Sequence, residues 1–164
     1  MFKLNSLKTT GFKRLDIPDK ITFPDGRILI HGVNESGKST LLEAIHYALF
    51  GMGLRPNRRA SNEDLINYNR QEAIIELVFS IDEKGYHVRR VLKKTSGNEH
   101  QLNAVLPDGS LEEITSGATS VNDHIQDILH GIDSDALLNS CLVEQKELGK
   151  LEASSRQERI KAMS

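Results

Sequence analysis

The chain has 164 residues, 38% hydrophobic and 27% charged, enough for one domain with its own core and unlike a disordered segment. Its formal charge of −2, from 21 basic and 23 acidic side chains, excludes a global pull toward nucleic acid, so any such contact needs a local patch. The single Cys141 excludes an intramolecular disulfide and fits an intracellular, cytoplasmic setting; no apolar run approaches the roughly 20 residues that span a bilayer, and 5% aromatics without tryptophan do not make a base-stacking platform.

Residues 2–10 alternate loosely through Phe2, Leu4 and Leu7 and read as a first strand, and the opening Met1-Phe2-Lys3-Leu4 is not a signal peptide. Phe23-Pro24-Asp25-Gly26 is a turn that feeds Arg27–His31, a short apolar run suited to a buried strand. Beyond residues 32–40, Leu41, Leu42, Ile45, Ala48 and Leu49 fall at helical spacing, and Gly51 and Gly53 stop that helix. Residues 52–72 are polar and basic, with Arg55, Arg58 and Arg59, and Ser61 is placed to cap a short helix. Residues 73–94 read as a hairpin with Asp82-Glu83-Lys84-Gly85 as its turn. Strands at 101–106 and 110–114, around Pro107-Asp108-Gly109, extend this antiparallel part. A helix over 118–131 lines up Val121, Ile125, Ile128 and Leu129 and ends on Gly131; Asp133 or Ser134 caps another. A short strand at 142–143 leads to Glu144 and Gln145, and from Ser154 the chain turns charged and helical.

One motif carries chemistry. Gly32, Gly37, Lys38 and Ser39 satisfy G-x-x-x-x-G-K-[ST] between an apolar strand and an amphipathic helix. Backbone N–H groups must converge on phosphate oxygens there, and Gly32 and Gly37 permit the dihedrals and the close approach. The helix starting near Lys38 aims its positive end at the same anion. Lys38 adds a mobile cation for the β- and γ-phosphates, and Ser39 offers a hydroxyl to Mg²⁺. The motif therefore implies a nucleoside triphosphate, ATP with Mg²⁺. A glycine-rich turn with a solvated lysine is the bland alternative, and the strand-to-helix context argues against it.

Other features read more plainly. Leu77-Val78-Phe79-Ser80-Ile81 ending in Asp82-Glu83 mimics a metal-binding strand, but the chain returns at once as Tyr86–Lys94, which makes Asp82 and Glu83 turn residues. The six histidines are scattered and lack metal-ligand spacing. Cys141 suits a buried small hydrophobe. Arg55, Arg58, Arg59, Arg89, Arg90, Lys93 and Lys94 are candidates for a phosphate-binding patch, with solvated basic loops as the competing account.

Several stretches resemble the N-terminal half of the ABC-type ATPase head of the SMC, SbcC and Rad-fifty proteins of DNA repair and chromosome organisation. They are Leu7-Lys8-Thr9-Thr10-Gly11-Phe12-Lys13, the segment from Gly32 to Ile45 with Asn34 and Glu43-Ala44-Ile45, the segment Leu138 to Gln145, and the charged exit Leu151 to Arg159. The resemblance implies an α/β fold, a P-loop NTPase N-terminal lobe over 1–153. A parallel-sheet core would carry the P-loop beside an antiparallel β-subdomain over 73–114, and a coiled-coil arm would begin at 154–164. It implies that Asn34, Gly37, Lys38, Ser39 and Thr40 wrap the phosphates, that Lys13 lies near the α-phosphate or ribose, and that Gln145 reaches Mg²⁺ and the attacking water. Glu35 departs from the glycine that many members carry, which bears on local loop shape.

The expected function is that of an ATP-binding lobe in double-strand-break repair or chromosome maintenance, with ATP driving head dimerisation. The implied partners are the C-terminal lobe of the same head, a second head, double-stranded DNA and a nuclease subunit of the SbcD type, with no membrane. Hydrolysis is expected of the complete protein and not of this chain alone, since no Walker B aspartate or Leu-Ser-Gly-Gly segment follows Gln145. The rivals are an ABC transporter subunit and a non-hydrolysing, nucleotide-responsive interaction module.

Overall fold

The computed structural model describes residues 2–13, 15–23, 38–52, 62–95, 97–134 and 136. Six strands form one sheet: β1 (Phe2–Phe12), β2 (Leu15–Thr22), β3 (Glu72–Ile81), β4 (Lys84–Lys93), β5 (Glu99–Val105) and β6 (Leu111–Ser116). The helices are α1 (Lys38–Phe50), α2 (Asn62–Leu65) and α3 (Ala118–Ile128). The strand order is β2-β1-β3-β4-β5-β6, and every neighbouring pair is antiparallel.

The strict period of β3 decides which face is inside. Ala73, Ile75, Leu77 and Phe79 are fully buried and alternate with half-exposed residues, as expected of a sheet covered on one face. The large apolar side chains in this row each contribute roughly 1.5–3 kcal/mol on burial. Val88 and Leu92 of β4, Leu102 of β5 and Leu7 of β1 join them in one core cluster. Its other wall is α1, through Ala44, Ile45, Ala48 and Leu49, and α3, through Val121 and Ile125.

The α/β class and the hairpin stand as expected, and three details differ. The antiparallel sheet is not confined to 73–114. β1 pairs with β3, for example Leu7 with Leu77 and Thr9 with Ile75, so the first strand lies in the same sheet as the hairpin. The expected parallel core strand at 27–31 lies outside the described residues. β2 was not among the expected strands; it is an edge strand, where Pro18 leaves no interior ladder bond unmade. The hairpin turn is tighter than four residues. Ile81 pairs with Lys84, so Asp82 and Glu83 alone make the turn, both left-handed at φ 50° and 71°, which is the geometry that the strand twist favours.

Helix ends follow the local chemistry. Gly51, at φ 69°, stops α1, and its N–H donates to the Tyr47 carbonyl at 2.7 Å. α3 ends at Ile128, and the chain turns through His130 and Gly131, both with positive φ. The Asp133 carboxylate accepts from the Ala136 N–H at 2.8 Å, which makes Asp133 the cap of the next helical turn.

Candidate functional site

α1 begins at Lys38, immediately after the glycine that closes the motif. The positive, N-terminal end of this 13-residue helix is therefore the end that adjoins the motif in sequence. Lys38 and Ser39 lie in its first turn, and Thr40 follows, half-buried. Asn34, Gly37 and Gln145 lie outside the described residues, as does Cys141.

Lys13 is delivered to the same helix from the end of β1. Phe12 is fully buried and its ring packs against Tyr47 of α1, with centroids 6.3 Å apart. Lys13 then takes a left-handed backbone, φ 49°, held from both sides. Its N–H donates to the Leu65 carbonyl at 2.8 Å, and its own carbonyl accepts from Asn67 Nδ2 at 2.7 Å. The ammonium pairs with the carboxylate of Glu43, five residues along α1 from Lys38. Two segments singled out from the sequence, Lys13 and the P-loop helix, thus meet through a residue given no role there.

α1 is buried along most of its length, so its position is set by packing and by polar ties at its C-terminal end. His46 Nδ1 donates to the Met52 carbonyl at 2.8 Å. Its Nε2 lies within hydrogen-bonding distance of the Ser134 hydroxyl, at 2.5 Å. Arg90 of β4 is fully buried and donates from Nε to the Ala48 carbonyl at 2.9 Å. Its Nη1 donates to His100 Nδ1 at 3.0 Å and its Nη2 to Asn122 Oδ1 at 2.8 Å. Burial lowers the Arg90 pKa to about 10, partly offset by Tyr47, so the guanidinium stays charged at neutral pH. Burial, and then the adjacent cation, push His100 down to about 4, which keeps the ring a neutral acceptor.

Arg90 does not belong to the expected basic patch. Arg90 faces the core and is unavailable to a phosphate, because in a strand it must point away from its neighbour Arg89. Arg89 lies 3.9 Å from Glu76, and Lys93 pairs with Glu99 at 3.5 Å. Arg55, Arg58 and Arg59 lie outside the described residues. Among the described residues no group of three His, Cys, Asp or Glu could hold a metal ion, and Asp82 and Glu83 are exposed turn residues. Among them, too, no helix is long and apolar enough to cross a membrane.

Comparison with known proteins agrees with this arrangement. A family model described as an AAA domain matches residues 6–164. A DNA double-strand break repair Rad50 ATPase from Halobacterium salinarum is 34% identical over 146 residues, covering 87% of this chain and 16% of that protein. Exonuclease subunit 2 of Enterobacteria phage T4 is 41% identical over 96 residues, covering 54% of this chain and 16% of its own length. The chain therefore spans about a sixth of the length of these two relatives. A solved chain from work on ATP-driven dimerisation and DNA-stimulated activation of SMC ATPases superposes with a TM-score of 0.64 at 26% identity, covering 99% of both chains. The chain belongs to the AAA domain family and, within it, to the SMC, SbcC and Rad50 group of ATPase heads.

Proposed function

We propose that this chain is the N-terminal lobe of an ATPase head that binds ATP with Mg²⁺ and serves DNA double-strand-break repair or chromosome maintenance. The observation that carries this reading is that Glu43 draws Lys13 to α1, the helix whose described residues open with Lys38 directly behind the glycine motif. The donor set fits a polyphosphate: helix N-terminal amides, two lysines and hydroxyls, with the Glu43 carboxylate engaged by Lys13.

In this reading the N–H groups of the first turn of α1, with Asn34 and Gly37, bind the phosphate oxygens. The Lys38 ammonium orients the β- and γ-phosphates, Thr40 supports the cradle, and Lys13 shifts from Glu43 toward the α-phosphate or ribose. Ser39 and Gln145 would hold Mg²⁺, which when bound draws charge from the terminal phosphates. A glutamine amide suits Gln145 because it can accept and donate at once without adding charge. Hydrolysis belongs to the complete protein, in which ATP brings two heads together and the C-terminal lobe completes each site. Similarity to the SMC ATPase chain supports the dimerisation and a response to DNA, which we take to be double-stranded. Similarity to a phage exonuclease subunit supports a nuclease partner of the SbcD type.

The test is Mg-ATP affinity of the complete protein by calorimetry. Charge-assisted contacts are worth roughly 1.5–3 kcal/mol each, so Lys38→Ala should weaken binding by about tenfold or more. Unchanged affinity in a folded Lys38→Ala variant removes the nucleotide site from this helix.

A further inference from the structure

Arg90 is a cation with 0% exposure, and among the described residues no carboxylate pairs with it. Its three nitrogens each reach a different element: Nε the last turn of α1 at Ala48, Nη1 the strand β5 at His100, and Nη2 the helix α3 at Asn122. Its guanidinium carbon lies 5.8 Å from the centroid of the Tyr47 ring, again on α1. A buried guanidinium is a poor way to gain stability, because a methionine or leucine would fill the space without the desolvation cost. Direction is what the fork adds, since a planar group with fixed donors sets angles as well as distances.

The negative partner of this cation is the carbonyl end of α1. The same helix presents its opposite end, about 20 Å away, at Lys38. A short, well-packed helix moves as a rod, so holding one end sets the axial position and roll of the other. Gly51 shows how closely the joint is built: a Cβ there would lie 3.2 Å from Arg90 Nη1 and 2.8 Å from Asn122 Oδ1.

We propose that Arg90 is a positioning residue for the nucleotide site, registering α1 against the antiparallel sheet and α3 so that Lys38 and the first-turn amides meet the phosphates. This rests on the nucleotide-binding reading of α1. Arg90 touches no nucleotide and acts through the helix. The sheet thereby gains a direct mechanical tie to the phosphate end of the lobe.

The experiment compares Mg-ATP affinity of the complete protein and its Arg90→Lys, Val88→Ala and Lys38→Ala variants, each at a temperature where circular dichroism shows it folded. Val88 is fully buried on the same face of β4 and serves as a core control. Coupling through packed elements spans effects of about 2- to 30-fold, and Arg90→Lys is expected to weaken binding by about fivefold or more within that range while Val88→Ala lowers the melting temperature and leaves affinity within about twofold. Wild-type affinity in folded Arg90→Lys overturns the proposal, as does an equal loss in Val88→Ala. Should Arg90→Lys not fold, Asn122→Ala cuts only the α3 tie. A smaller loss of affinity is then expected, and none overturns the proposal. Loss of binding in Lys38→Ala with none in Arg90→Lys removes the positioning role alone, whereas normal binding in Lys38→Ala removes the nucleotide site and this proposal with it.

Discussion

Replacing Gly51 with alanine presses on the joint between α1, β4 and α3 from a known direction. Two costs arise, and the structure separates them. The first is the dihedral: at φ 69° an alanine sits in the left-handed region, which costs roughly 1–2 kcal/mol. The second is steric. The new Cβ would lie 2.8 Å and 2.9 Å from the two amide heteroatoms of Asn122, distances at which the amide must move. Moving it loosens the bond from Arg90 Nη2, and a hydrogen bond to a buried charge is worth about 1.5–3 kcal/mol. Gly51→Ala should therefore destabilise the chain by about 3–4 kcal/mol in urea unfolding. Gly109→Ala supplies the control, since φ there is 86° and nothing lies within 4 Å, leaving the dihedral cost alone. A second control is the double variant with Asn122→Ala, which removes the clash and should make the two losses less than additive by roughly 1.5 kcal/mol. If Gly51→Ala cost no more than Gly109→Ala, or if the double variant were additive, the joint would not be as tight as drawn.

Glu83→Gly should stabilise the hairpin by about 0.5–1 kcal/mol, because glycine relieves the left-handed strain at φ 71° while adding freedom to the unfolded chain. Urea midpoints measure it, a loss would contradict the two-residue turn, and unaltered ATP turnover in the complete protein is expected of a residue outside the metal site. His100 makes stability depend on acid. Its folded pKa of about 4 lies below the unfolded value of 6.5, so between those pH values the unfolded chain binds the extra proton and stability falls as pH falls. Discounted for partial exposure, the loss is about 1–2 kcal/mol; denaturant unfolding across that window should show it, and an unchanged slope in His100→Gln would refute the assignment.

Much of this lobe was legible because β3 buries alternate residues on one face. Ala73, Ile75, Leu77, Phe79 and Ile81 keep a strict period, and the charged turn at Asp82 and Glu83 marks the reversal. The P-loop helix was legible from its glycines and apolar spacing. β2 was hidden because edge strands tolerate the proline and aspartate that argue against a strand elsewhere. The pairing of β1 with β3 was hidden for another reason: more than sixty residues separate Leu7 from Leu77, and no local pattern encodes a partner at that distance. Arg90 was misread from composition, as one of four basic residues near the end of a hairpin. The correcting signal was present in Val88, Arg90 and Leu92, whose common parity places the arginine on the apolar face. The Lys13 pairing with Glu43 had no such signal, since it depends on how β1 meets α1 in space.

These contacts give the two ends of α1 different roles. At the N-terminal end an α-helix leaves its first N–H groups without intrahelical partners, and it is there that the proposed ligand binds. At the C-terminal end its carbonyls and side chains are tied by Arg90 to the sheet and α3, and by His46 to Ser134, in the segment that runs on toward Gln145. A ligand at the first end therefore acts on a helix whose other end is already fixed, so little of its binding energy is needed to order α1. The His46 contact also ties α1 to Ser134, so the P-loop helix is held to the residues that follow α3 through a named pair of atoms.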